Sequence, residues 1–118
     1  MITKKTNEAI DKELARMQLR EMFAKQDRPT VYTVLRHVSQ SGMSRDISLF
    51  IVEDNRLRDI TWIAGKALGD KVKEKNGRRV IRVNGCGMDM GFHLVYSLSS
   101  VLYPNEDRAG YKLSHEWA

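Results

Sequence analysis

The segment at residues 92–102 constrains the fold more than any other part of the chain. Phe92, Leu94, Val95, Tyr96, Leu98, Val101 and Leu102 fall within it, a spacing that spreads apolar side chains around most of a helix circumference. A helix of that kind has to be enclosed by other elements, so it is expected to be the most buried helix and the organiser of the core. With 118 residues there is length for one such core, and the chain reads as a single domain over 1–118. Its N-terminal helical part covers 1–29, and a sheet with the buried helix covers 30–118. Hydrophobic residues make up 42% and charged residues 30% of the chain, which excludes wholesale disorder and collagen-like classes. No apolar run approaches the roughly 20 residues a spanning helix needs. The start, Met-Ile-Thr-Lys-Lys, is not followed by the apolar stretch of a secretory signal. Cys86 is the sole cysteine and has no partner for a disulfide within the chain, which suits a reducing cytoplasm.

The remaining elements follow from periodicity. Ile10, Leu14, Met17, Leu19, Met22 and Phe23 place a broad apolar face on a helix over 7–25, with Thr6 or Asn7 as its cap and Asp27-Arg28-Pro29 as its end. Residues 31–38 and 46–53 are rich in β-branched and aromatic types and read as strands. Asp54-Asn55 turns the chain into a third strand over 56–60. Thr61 caps a short helix through Leu68, a basic turn surrounds Asn76-Gly77, and 78–83 reads as a strand. Near the C-terminus Tyr111, Leu113, His115 and Trp117 alternate with Lys112, Ser114 and Glu116, the pattern of a half-buried strand. The order predicts an α+β domain, a mostly antiparallel sheet of about five strands packed with two main helices.

The net charge of +5 is concentrated locally. Residues 61–90 hold seven Lys/Arg against three Asp/Glu, whereas residues 31–60 are balanced, four against four. Lys71, Lys73, Lys75, Arg78 and Arg79 are therefore candidate contacts to nucleic acid or an acidic protein surface. The competing reading is a solvated basic turn.

Two glycine-bearing segments carry the other candidates. Residues 39–45, Ser-Gln-Ser-Gly-Met-Ser-Arg, bring hydroxyls and an arginine around a flexible glycine. Ser39, Ser41 and Arg45 there suit a phosphate or carboxylate, and Met43 adds soft apolar contact. Residues 84–91, Asn-Gly-Cys-Gly-Met-Asp-Met-Gly, lie between a strand and a helix. Glycines there let backbone amides approach an anion, although Asp89 would repel one unless it caps the helix. Asn84, Cys86, Asp89 and His93 are the candidate binding residues of this segment. The motif sits too late in the chain for a dinucleotide fold. Cys86 would need His37, His93 or His115 as a base to act as a nucleophile, and the spacings do not match a zinc site. No cofactor, metal ligand set or catalytic residue is assigned.

The stretches Leu-Arg-His-Val-Ser-Gln-Ser-Gly-Met-Ser-Arg at 35–45 and Asn-Gly-Cys-Gly-Met-Asp-Met-Gly-Phe-His-Leu-Val-Tyr at 84–96 resemble a family of small phage and prophage accessory proteins. The resemblance runs from about Val31 to the C-terminus and implies an accessory product made in a host bacterial cytoplasm. By analogy with such proteins, the expected role is a non-enzymatic counter-defence inhibitor, anti-CRISPR-like. Its expected partner is a host defence protein or the nucleic-acid complex of one, with no membrane involved. The alternatives are a protein that sequesters a nucleotide signal, a nucleic-acid-binding protein using residues 66–82, and a Cys86-dependent enzyme. The oligomeric state is not legible.

Overall fold

The computed structural model describes residues 4–37, 44–85, 89–105 and 112–118. Among these, three helices and six strands form the chain order α1 (Lys4–Phe23), β1 (Thr30–His37), β2 (Ser44–Glu53), β3 (Arg56–Asp59), α2 (Thr61–Leu68), β4 (Val72–Lys75), β5 (Arg78–Asn84), α3 (Met90–Leu102) and β6 (Ser114–Trp117). The class is α+β, as expected, with one strand more than expected and with α2 as the short helix read over Thr61–Leu68 beside the two main helices. The strand order is β4-β5-β2-β1-β6, and β3 also pairs with β2. All pairings are antiparallel except β1 with β6.

The additional strand, β4, lies in what the sequence suggested was only a basic turn. Asn76 and Gly77 both have positive φ, 54° and 75°, the backbone of a two-residue hairpin turn that matches strand twist. Val72 pairs with Ile81 and Lys75 with Arg78 across it. Asp54 and Asn55 make the equivalent turn between β2 and β3, with φ of 53° and 63°.

β2 is the spine of the sheet. β1 flanks one side along its length, while β5 and then β3 share the other. Between those two partners Leu49 would be left with unpaired backbone groups. The start of α2 fills the break: Leu49 N–H donates to Thr61 Oγ1 at 2.9 Å, and Ile60 N–H donates to the Leu49 carbonyl at 2.9 Å. Thr61 thus ties α2 to the sheet and does not cap the helix, whose N-cap is Ile60. Asp59 Oδ1 accepts the Thr61 N–H at 2.8 Å.

Strand alternation then divides the sheet into two faces. Val31, Ile47, Leu49, Ile51 and Ile81 point to one, where they meet Leu19 and Phe23 of α1, Ala64 of α2 and Leu94, Leu98 and Leu102 of α3 in one buried cluster. All three helices pack there. α1 lies across the C-terminal ends of the other two: Arg16 Nε donates to the Ala67 carbonyl at 2.9 Å and Arg20 Nη1 to the Leu102 carbonyl at 3.3 Å. A guanidinium at each helix end satisfies carbonyls that have no partner within their own helix and complements the helix dipole.

Two expectations about the helices are corrected. The first half of α1 does not bury its apolar face, since Ile10, Leu14 and Met17 are each about half exposed and only Ala15, Leu19, Met22 and Phe23 reach the core. α3 is one-sided rather than enclosed: Leu94, Val95, Leu98 and Leu102 are buried, but Phe92 and Tyr96 face outward. No helix among the described residues is long and apolar enough to cross a membrane.

Candidate nucleic-acid interface

The two glycine-bearing segments leave the sheet from neighbouring strand ends. Ser44 opens β2, Asn84 closes β5, and the two are paired in register, with Ser44 Oγ donating to Asn84 Oδ1 at 3.5 Å. Ser39, Ser41, Met43 and Cys86 lie outside the described residues. Arg45 does not match the displayed anion-binding arginine anticipated for it. Its side chain falls on the helix-covered face of the sheet, 6% exposed, and Nη1 donates to the Ser44 carbonyl at 3.0 Å.

Two glycines of the second segment answer to packing. A Cβ on Gly91, in the first turn of α3, would stand 2.5 Å from Thr33 Oγ1 and 3.1 Å from His115 Nε2. Gly85 has φ +152° and would crowd the Met90 sulfur at 2.8 Å, so its backbone too excludes a side chain. Asp89 occupies the N-cap of α3 but makes no side-chain capping bond. Its carboxylate instead accepts a hydrogen bond at 2.8 Å from His93 Nε2, one turn on, and both side chains are well exposed.

His115 bonds Thr33 Oγ1 through Nε2 at 2.7 Å, in keeping with a satisfied core histidine. Burial holds its pKa below the ordinary histidine value, against a weaker upward pull from Glu116. Because the unfolded chain takes up this proton more readily, His115 adds stability above the ordinary histidine pKa, and that stability is lost as pH falls below about 6.5. Replacing His115 with Asn is expected to flatten the dependence of the unfolding midpoint on pH as pH falls below the ordinary histidine pKa. An unchanged slope would contradict the assignment. Around it, Phe92, Tyr96 and Ser99 of α3 with Leu113, Ser114 and Arg28 line a groove of about 240 Å³. The His115 ring stands edge-on to Phe92 at 6.2 Å and to Trp117 at 5.0 Å.

The basic segment becomes the β4–β5 hairpin at one edge of the sheet. Lys71, Lys73, Lys75, Arg78 and Arg79 are all exposed on or beside it. Lys73 is in register with Val80 and Lys75 with Arg78. Arg79 sits over the Trp62 ring of α2, 5.7 Å from its centroid, and Lys66 Nζ approaches the same ring at 5.1 Å. Trp62, itself 46% exposed, thus has two cations within reach of its ring, whose face attracts positive charge. The sequence could not place Trp62 there, because the contact depends on how α2 lies on β5.

Asp46 was missed for the same reason. It is 3% exposed on the face away from the helices, and Arg82 of β5 grips it with two hydrogen bonds, Nε to Oδ1 at 2.9 Å and Nη2 to Oδ2 at 3.3 Å. Lys75 Nζ adds an ion pair at 3.7 Å. The Arg82 hydrogen bonds hold the Asp46 carboxyl below the usual carboxylate range, prevailing over the opposing effect of burial. Arg36, Asp46, Lys75, Asn76, Arg78 and Val80 surround a hollow of about 230 Å³ on this face. Its one carboxylate is already paired, so the remaining cations dominate what it presents to solvent.

The chain matches no protein-family model, no curated protein and no solved structure.

Proposed function

We propose that this chain is a non-enzymatic binding protein of phage or prophage origin. It acts as a counter-defence inhibitor in the bacterial cytoplasm, engaging the nucleic acid of a host defence complex through the β4–β5 hairpin. The observation that carries this reading is the clustering of charge. Residues 70–82 contain six Lys/Arg and two Asp/Glu, gathered on one hairpin at the sheet edge. A polyanion approaching that edge meets cations on both sides of the hairpin, and each phosphate contact releases counterions. The resemblance of the 35–45 and 84–96 motifs to phage proteins supports the biological setting. The buried Arg45 weakens the nucleotide-sequestering alternative.

Expression of the chain in a bacterium whose CRISPR–Cas system targets a phage is expected to restore plaque formation. A variant with Lys71, Lys73 and Arg78 changed to Glu is expected to lose that protection at equal protein levels. Protection by the variant equal to that of wild type, or no restoration by wild type, would contradict the reading.

A further inference from the structure

We infer that the nucleic acid is single-stranded and that its bases stack on the uncovered face of the sheet, against Tyr32 and Phe50. This inference rests on the nucleic-acid reading above and adds the strand type and the site. Among the described residues, no helix packs on the face opposite the core, because α1, α2 and α3 all join the cluster formed by Val31, Leu49 and Ile51. Tyr32 and Phe50 alternate with those buried residues and are directly paired across β1 and β2, so both rings belong to the uncovered face. Both are partly exposed. Val52, 40% exposed, and Leu57, 63% exposed, extend the apolar strip on paired positions of β2 and β3.

Charge decides what such a face is built for. Cations beside an apolar sheet face suit a polyanionic occupant. Here Arg36 lies four residues along β1 from Tyr32, on the same face and about 13 Å away at the rise of an extended strand. It is in register with Asp46, which is in turn in register with Arg82. Arg36, Lys75 and Arg78 ring the hollow beside them. Acids at the ends of the aromatic row, Glu116 beside Tyr32 and Asp59 beside Phe50, leave the path from the two rings toward Arg36 and the hairpin as the one a phosphate backbone would follow. Aromatic rings beside a positive groove are what an unpaired strand needs, since its bases are free to stack while its phosphates track the cations. A duplex hides its base faces and gains nothing from Tyr32 and Phe50.

The test compares a single-stranded DNA oligonucleotide, the same sequence as RNA, and the corresponding DNA duplex by fluorescence anisotropy. The proteins are wild type and a Tyr32→Leu/Phe50→Leu double variant that keeps apolar bulk on the sheet. Circular dichroism and the unfolding midpoint verify that the variant folds; if it does not, the Phe50→Leu single variant replaces it. Wild type is expected to prefer at least one single strand over the duplex, and the variant to lose roughly tenfold to a hundredfold of that affinity with duplex binding unchanged. Equal binding of strand and duplex, unaffected by the variant, overturns this inference and leaves the hairpin reading standing. A wild-type protein that binds none of the three probes overturns both. A concentration-dependent dimer abolished by the variant would assign the face to a second copy of the chain and likewise overturn the inference.

Discussion

Gly91→Ala is expected to lower stability by about 2–3 kcal/mol, the cost of forcing extra volume into a packed contact. For a domain of this size that is a fall of roughly 8–12 °C in the unfolding midpoint. The new methyl would stand 2.5 Å from Thr33 Oγ1, and that hydroxyl cannot swing away without breaking its 2.7 Å hydrogen bond to His115. Either α3 lifts from the sheet or the Thr33–His115 pair separates. Combining Gly91→Ala with Thr33→Ala removes the obstructing oxygen, so the two changes together are expected to cost less than their sum. Thermal unfolding of the four proteins in that cycle checks the claim. A Gly91→Ala protein as stable as wild type would mean that α3 is not seated where the structure puts it.

Reversal of Lys71, Lys73 and Arg78 to Glu is expected to weaken oligonucleotide binding by about a hundredfold at physiological salt, since each reversal deletes a phosphate contact and adds a repulsive one. The three side chains are exposed, so the fold should be unaffected, with substitutions at such positions usually within about 0.5 kcal/mol of neutral. Lys75 is left in place because its ammonium stands 3.7 Å from the buried Asp46 carboxylate, and a glutamate there would confront a like charge. The loss should be similar for single strand and duplex, which separates it from the effect of changing Tyr32 and Phe50. Titrations at matched salt, with circular dichroism to verify folding, decide it. Unaltered affinity in the reversed protein would remove the hairpin from the interface.

What the sequence made legible was set by local chemistry. The limits of α2, Thr61–Leu68, agree with the reading from its flanking residues, and β2, β3 and β5 agree to within two residues. β4 was obscured because Val72–Lys75 offers one apolar residue among charged ones, although Asn76-Gly77 is itself a strong hairpin signal. Residues whose roles depend on register were beyond reach. Asp46 became a buried ion-pair centre only because β5 sets Arg82 opposite it, and Tyr32 meets Phe50 only through the β1–β2 pairing. Arg45 shows the converse, since its sequence context suggested an anion ligand and strand alternation put it, 6% exposed, on the same sheet face as Ile47 and Leu49. Of the glycines singled out in the second segment, Gly91 answers to close approach, a cause that no single sequence displays.

In the proposed function the β4–β5 hairpin and the adjoining sheet face hold nucleic acid through phosphate contacts. The most direct measurement is the salt dependence of affinity for a single-stranded oligonucleotide. With about four phosphates neutralised, the logarithm of the association constant should fall against the logarithm of salt with a slope near −3, moving toward about −1 in the Lys71, Lys73 and Arg78 reversal. A wild-type affinity that is flat across the salt series, or the same slope in both proteins, would contradict it.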